Sequence, residues 1–416
     1  MKKEVVSLYL VQISNILIPL LTFPYLVRVL GIEGFGRISF AQTVFLIFSF
    51  FIDFGFNLSG AKSVSIYTLR KKSIDKIYTN IIIFKFIIYF ILFFIVMGIF
   101  SINNISFNEK ILILMVYIFS FSSILIPNFI FNGLGINSKL AIITLVIKII
   151  FLIPIFLFVK SKSDVFLAAF LILFPNLIIG VISQIYLIIK NIINFSFKSF
   201  KWRLCLNLAI NSYHNFSASF FTLGFTYSTP LMVKFFLGDT ALGIYSMVDK
   251  LINIMRQLYL PIIQAFYAKI CSAYVNNKSL YRDLLKKVTL IFVFIGLSSL
   301  VANLILGDFI LRFIFGYIPE LHYLLTIAII TQILVSIAMV VVNFYILPSG
   351  KSFIMKKIYF SALALFFPIF YLCIKSFSLN GVFYSIQIVE FLISLYFLKF
   401  MYDGLKNKKL SDKFLG

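Results

Sequence analysis

At 416 residues, 62% hydrophobic and only 12% charged, this chain excludes an ordinary soluble fold, which carries about 25% charged residues. No aqueous fold covers that much apolar surface, so the solvent for most of the chain is lipid. A formal charge of +23 would suggest nucleic acid in a soluble protein. Here the cations sit in short connections between apolar runs, a pattern of membrane orientation, and no nucleic-acid partner is expected.

A membrane span needs about 20 apolar residues. In chain order the candidates are 5–30, 36–60, 77–103, 109–134, 139–159, 164–190, 205–237, 240–267, 286–306, 320–347, 352–375 and 379–402. The first run is too long for a signal peptide and lacks a small-residue cleavage site, so it is read as a helix. The expectation is an all-α membrane protein of about twelve transmembrane helices. Cys205, Cys271 and Cys373 are solitary, without CxxC or partner histidines, so neither disulfide nor metal is expected.

Placing the N-terminus in the cytoplasm puts 25 of the 37 Lys and Arg residues on that side. The groups are Lys2 and Lys3; Lys62, Arg70, Lys71, Lys72 and Lys76; Lys139; Lys190, Lys198, Lys201 and Arg203; Lys269, Lys278, Arg282, Lys286 and Lys287; Lys351, Lys356 and Lys357; and Lys399, Lys406, Lys408, Lys409 and Lys413. The opposite side holds six: Arg37, Lys110, Lys160, Lys162, Arg312 and Lys375. This bias predicts an inner-membrane protein with both termini cytoplasmic.

Residues 191–204 lie near the midpoint and read as a basic cytoplasmic linker. They separate a six-helix bundle over 1–190 from a second over 205–416 with a short basic tail. The halves look related. Pro24-Tyr25-Leu26-Val27-Arg28-Val29-Leu30-Gly31 resembles Pro230-Leu231-Met232-Val233-Lys234-Phe235-Phe236-Leu237-Gly238 with one residue inserted. From there one offset pairs Gly31/Gly238, Gly36/Gly243, Ser39/Ser246, Ala61/Ala268 and Lys62/Lys269. Two similarly oriented six-helix repeats suit a transporter that rocks around a shared site.

Cations expected inside the spans are Arg28, Lys85, Lys148, Lys234, Lys250 and Arg256; the acids are Asp53, Asp249 and Glu390. A charge at mid-bilayer costs about 2.5–3.5 kcal/mol even on the lenient insertion scale, so each should face a wet cavity or a partner. Asp249, Asn253 and Arg256 share one helix face at i, i+4, i+7, bordered by Lys250 and Gln257. That stripe reads as cavity lining, against a structural ion pair between helices. Arg28 and Lys234 occupy matching places near the ends of the first helix of each half. Lys85, near a helix end, reads as snorkelling, whereas Lys148 is too central for that. Asp53 reads equally as a cavity acid or as a neighbour's counter-charge, and His214 as a packing residue. Pro19, Pro24, Pro154, Pro175, Pro230 and Pro261 predict kinks. No nucleotide loop, GxSxG or HExxH motif points to an enzyme.

Thr22, Pro24, Arg28, Leu30, Gly31, Gly34 and Gly36 form T-x-P-x-x-x-R-x-L-G-x-x-G-x-G. With the segment TPLMVKFFLGDTALGIYSMVDKL, this resembles the bacterial polysaccharide flippases of the multidrug/oligosaccharidyl-lipid/polysaccharide exporter superfamily. The resemblance implies two pseudo-symmetric six-helix bundles around a central cationic cavity. It also implies alternating-access transfer of an undecaprenyl-diphosphate-linked O-antigen or capsule repeat unit to the periplasmic leaflet. On that reading Arg28, Lys234, Lys250 and Arg256 bind the diphosphate headgroup, and Asn253 and Lys148 are polar cavity residues. Asp53, Asp249 and Glu390 are candidate sites for a coupling ion, Na+ or H+, if transport is coupled; no other cofactor is expected. Partners are the lipid-linked oligosaccharide and membrane lipids, with the pathway's polymerase and chain-length regulator as further candidates. Two alternatives remain open. One is a membrane-embedded polysaccharide polymerase or ligase, disfavoured by the short periplasmic loops. The other is a cation-coupled small-molecule exporter of the same superfamily, disfavoured by the basic cavity.

Overall fold

The computed structural model describes residues 2–70, 72–102, 105–351 and 353–413, with side chains between 18 and 406 except 218, 222 and 405. All of Lys71, and the side chains of Lys2, Lys3, Lys408, Lys409 and Lys413, lie outside the described residues. The described secondary structure is helical: α1 (Lys2–Asp53), α2 (Phe56–Leu69), α3 (Asp75–Phe100), an interrupted α4 (Phe107–Gly133), α5 (Asn137–Phe158) and α6 (Val165–Ile189). After them come α7 (Trp202–Asn276), α8 (Lys278–Phe315), α9 (Leu321–Val341, running into a π turn at Val342–Ile346) and α10 (Phe353–Lys413).

Nine stretches among the described residues are long and apolar enough to cross a membrane. Three of them, Ile18–Leu69, Leu223–Asn276 and Phe353–Gly404, are 52, 54 and 52 residues long. At about 1.5 Å per residue, 52 residues reach about 78 Å, more than twice the ~30 Å hydrocarbon core. Each is broken by a sharply non-helical residue, Gly31 (φ 75, ψ 174), Gly238 (φ 86, ψ −175) and Ser378 (φ 50, ψ −127) respectively, and the first is broken again at Phe54–Gly55 (φ 47 and 79), between α1 and α2. Each can therefore fold back and cross twice, in keeping with about twelve crossings. Where loops are expected at these places, one residue makes the turn. Gly31 and Gly238 adopt the same backbone conformation, one that essentially only glycine reaches without strain. The repeat read from the sequence is thus also a repeat of backbone geometry.

Contacts divide the chain into two compact units, residues 1–220 and 221–416. In the first unit, residues 191–204 dock on α3. Buried Asn80 donates to the Ser199 carbonyl (3.1 Å) and accepts from the Lys201 amide (3.0 Å), and Asp75 accepts from the Asn194 amide at 2.6 Å. Residues 202–220 also pack in this unit, with Phe216 stacked on Phe54 at 4.7 Å. In a lipid environment every freed backbone group needs an internal partner. The break in α4 frees the Leu125 carbonyl, which Gln184 satisfies at 2.6 Å while accepting from the Tyr78 hydroxyl at 2.6 Å. The end of α5 is closed by the Tyr25 hydroxyl, which donates to the Val159 carbonyl at 2.6 Å.

In the second unit, α7 and α8 continue as helices through most of the expected loop at 268–285. Asn277 caps α8 by accepting from the Leu280 amide at 3.0 Å. Tyr259, Phe292 and Phe344 form the centre of a buried cluster there. The Tyr281 hydroxyl donates to the Phe344 carbonyl at 3.1 Å, inside the π turn.

Candidate functional site

Beyond Gly238, α7 places Asp249 and Arg256 on the wall of a cavity of about 370 Å³ lying within the second unit, while Asn253, expected on the same wall, does not line it but bridges the two from behind. Gln332 and Asn343 reach it from α9 and its π turn. Tyr359 and Glu390 reach it from opposite sides of the Ser378 break in α10, so the bend brings both to one cavity. The polar wall is connected. Asn253 donates to Asp249 Oδ2 at 2.9 Å, and Arg256 Nη1 donates to Asn253 Oδ1 at 3.4 Å. Arg256 Nε donates to Gln332 Oε1 at 2.8 Å. Gln332 is 1% exposed, and its Nε2 finds no partner among the described residues. A buried donor without a partner is costly, and this one belongs to a residue of the cavity wall. The wall thus offers a guanidinium, two carboxyls and amides: chemistry for an anion at Arg256 and for a cation or proton at the acids.

The first unit has a cavity of about 320 Å³ at the corresponding place. Gln42 and Phe45 line it, and the repeat offset carries them to Asp249 and Ile252, which line the other. Pro19 and Pro175 also face it, so two of the expected kink prolines border open space. Its one charged lining residue among those described is Lys148, from α5.

The remaining expected site residues are distributed otherwise. Asp53 is held by Lys85 at 3.1 Å and caps the Asn57 amide at 3.3 Å. Of its two readings, the structure displays the counter-charge. Lys85 does not snorkel: it is 1% exposed, also donates to the Ser123 carbonyl at 3.3 Å, and sits over the Phe129 ring. Its side chain turns toward Asp53 rather than along the helix to the interface. Lys234 pairs with Asp239 across the Gly238 bend. Arg28 is exposed. The two are not in matching places after all. Measured from their glycines, the inserted residue sets Lys234 one position further back, a rotation of about 100° around the helix. Lys250 is half-buried beside Asp249 but lines neither cavity, and His214 is exposed rather than packed. Among the described residues no three His, Cys, Asp or Glu side chains gather to hold a metal.

Gln332, Asn343 and Tyr359, and in the first unit Gln42 and Asn176, are wall residues that the sequence reading did not single out. The signal for Gln332 was its amide in the otherwise apolar run of α9, since a polar side chain there needs a partner or a cavity.

The family model described as polysaccharide biosynthesis protein matches residues 1–267. Two relatives named "Putative O-antigen transporter" also match. The one from Escherichia coli (strain K12) is 31% identical over 323 residues, 75% of this chain and 74% of the relative. The one from Shigella dysenteriae is 26% identical over 418 residues, 96% of this chain and 99% of the relative. Among solved structures, an inward-facing multidrug resistance MATE family transporter of the MOP superfamily superposes with TM-score 0.73 at 14% identity, covering 96% of this chain and 99% of that one. The lipid II flippase MurJ in an inward closed conformation gives TM-score 0.67 at 16% identity, covering 96% and 87%. Those two likenesses show the fold.

Proposed function

Because the chain belongs to the polysaccharide biosynthesis protein family, we propose that it is a flippase for an undecaprenyl-diphosphate-linked oligosaccharide. It moves the repeat unit from the cytoplasmic to the periplasmic leaflet of the inner membrane by alternating access, with both termini in the cytoplasm. The observation that carries this reading is Arg256, a cation on the wall of a membrane-embedded cavity, braced by Gln332 and Asn253. A guanidinium held from behind keeps donors in a fixed fork, which suits a phosphate. The O-antigen transporter name of the two relatives supports the cargo class. Arg28, Lys234 and Lys250 are proposed as further headgroup contacts. Asp249 and Glu390 are proposed to take up a coupling Na+ or H+. The polymerase and chain-length regulator of the same pathway are the proposed partners.

The test is complementation of surface polysaccharide in a flippase-null strain, with membrane levels quantified alongside. Losing a hydrogen bond to a charged group costs about 1.5–3 kcal/mol, so Arg256→Gln should slow export about ten- to hundredfold at unchanged protein level. Arg256→Glu should be worse, since repulsion is added. Normal accumulation with wild-type export by both Arg28→Glu and Arg256→Glu would remove these residues from headgroup binding.

A further inference from the structure

The cavity of the first unit differs chemically from that of the second. Twelve of its sixteen described lining residues are apolar, among them Phe45, Phe151 and Leu152, and none of the sixteen carries a carboxylate. Its neutral polar groups are partly engaged: Thr22 Oγ1 donates to the Ile18 carbonyl at 2.9 Å, and Asn176 Nδ2 to the Leu173 carbonyl at 3.0 Å.

Lys148 stands at the middle of the 22-residue α5. At about 1.5 Å per residue it is about 15 Å from either end, too far for its ammonium to snorkel to an interface. A mid-bilayer ammonium carries a cost of about 2.5–3.5 kcal/mol unless a counter-charge or water meets it. No counter-charge for it is found among the described residues, in contrast to Lys85 with Asp53 and Lys234 with Asp239. The missing partner has a definite character: an anion attached to something apolar.

We infer that this cavity binds the phosphate head of an anionic lipid, with Lys148 as its counter-charge and the apolar wall holding the first carbons of the chain. The volume of about 320 Å³ is near the lower end for ligand cavities, about 300–1,000 Å³. It takes a head and the root of a chain, not a whole lipid. The same chemistry belongs to a bilayer phospholipid and to a polyprenyl phosphate carrier. The site itself does not depend on the proposed cargo; only the choice of the carrier as its occupant rests on that reading.

The experiment is native mass spectrometry of the purified, delipidated full chain with four probes: phosphatidylglycerol, undecaprenyl phosphate, neutral diacylglycerol and inorganic phosphate. Wild type and Lys148→Arg should retain at least one of the two phosphate lipids. Lys148→Gln and Lys148→Met should weaken that binding at least tenfold while unfolding at the wild-type temperature. Lys139→Gln, which alters an exposed cation at the start of the same helix, should leave it unchanged. Preference for phosphatidylglycerol makes the occupant a bilayer lipid; preference for undecaprenyl phosphate makes it the carrier, and either supports the site. Undiminished binding of both phosphate lipids by Lys148→Gln and Lys148→Met overturns it. So does equal competition by diacylglycerol, or displacement by millimolar inorganic phosphate alone. Loss of export in Arg256 variants with phosphate-lipid binding intact would leave the two proposals separately judged.

Discussion

In the first unit the strong charge contact, Lys85 to Asp53, is largely buried, and the unit's cavity wall offers a single ammonium among the described residues. In the second unit Asp249, Arg256 and Glu390 all stand on the cavity wall, and Arg256 is braced by uncharged amides. The two units share a bend and a cavity position, yet Gln42 stands in one where Asp249 stands in the other. A duplicated backbone can therefore keep its geometry while its charges are placed differently, an acid paired in the core with a lysine in one copy and acids gathered on a cavity wall in the other.

The largest test of that contrast is to strand a charge. Removing one partner of a buried pair destabilises by about 3–5 kcal/mol, so Lys85→Ala should sharply lower the unfolding temperature and the membrane level of the protein. The double change Asp53→Asn with Lys85→Gln should restore most of both. Asp249→Asn and Glu390→Gln should do the opposite, leaving the protein abundant while export falls. If Asp53→Asn alone is stable and yet stops export, Asp53 is a cavity acid and the contrast fails.

A middle-sized test addresses the shared bend. Gly31→Ala and Gly238→Ala place a side chain where the backbone conformation is nearly closed to it, at about 1–3 kcal/mol. Space is not the obstacle, because a Cβ at Gly238 meets nothing within 4 Å and one at Gly31 meets only Lys162 at 3.8 Å. The two losses of thermal stability should therefore agree closely. A large disagreement would mean that the bends are not equivalent.

The smallest effect belongs to the exposed pair Arg312–Asp308, 2.8 Å apart with both side chains more than half exposed. Asp308→Asn should alter unfolding by no more than about 0.5 kcal/mol, the range for solvent-screened pairs one turn apart. A loss approaching that of Lys85→Ala would show that charge position is a poor guide to charge duty in this protein.

The spans were legible because hydropathy reports burial in lipid directly. The repeat was legible because Gly31 and Gly238 cannot be replaced without strain. Asp249, Asn253 and Arg256 were legible because their spacing alone fixes a shared helix face. The partner of Lys85 was not, since 32 residues separate it from Asp53 and only packing brings them together. Gln332 was hidden in an apolar run for the same reason: which side of α9 meets the cavity depends on how that helix is rotated in the unit. Lys148 was legible as central, but not as the one charge among the described residues of a largely apolar chamber.

The bend at Gly238 also bears on how this protein tolerates change in length. Where loops join helices, an extra residue is absorbed by the loop and nothing downstream turns. Here helix runs up to Gly238 and away from it, with no slack on either side. One residue gained or lost after it would rotate the following stretch by about 100°, carrying Asp249 and Arg256 off the cavity wall together. An insertion between Gly238 and Asp249 should therefore be far more damaging than the same insertion in the non-helical 192–195.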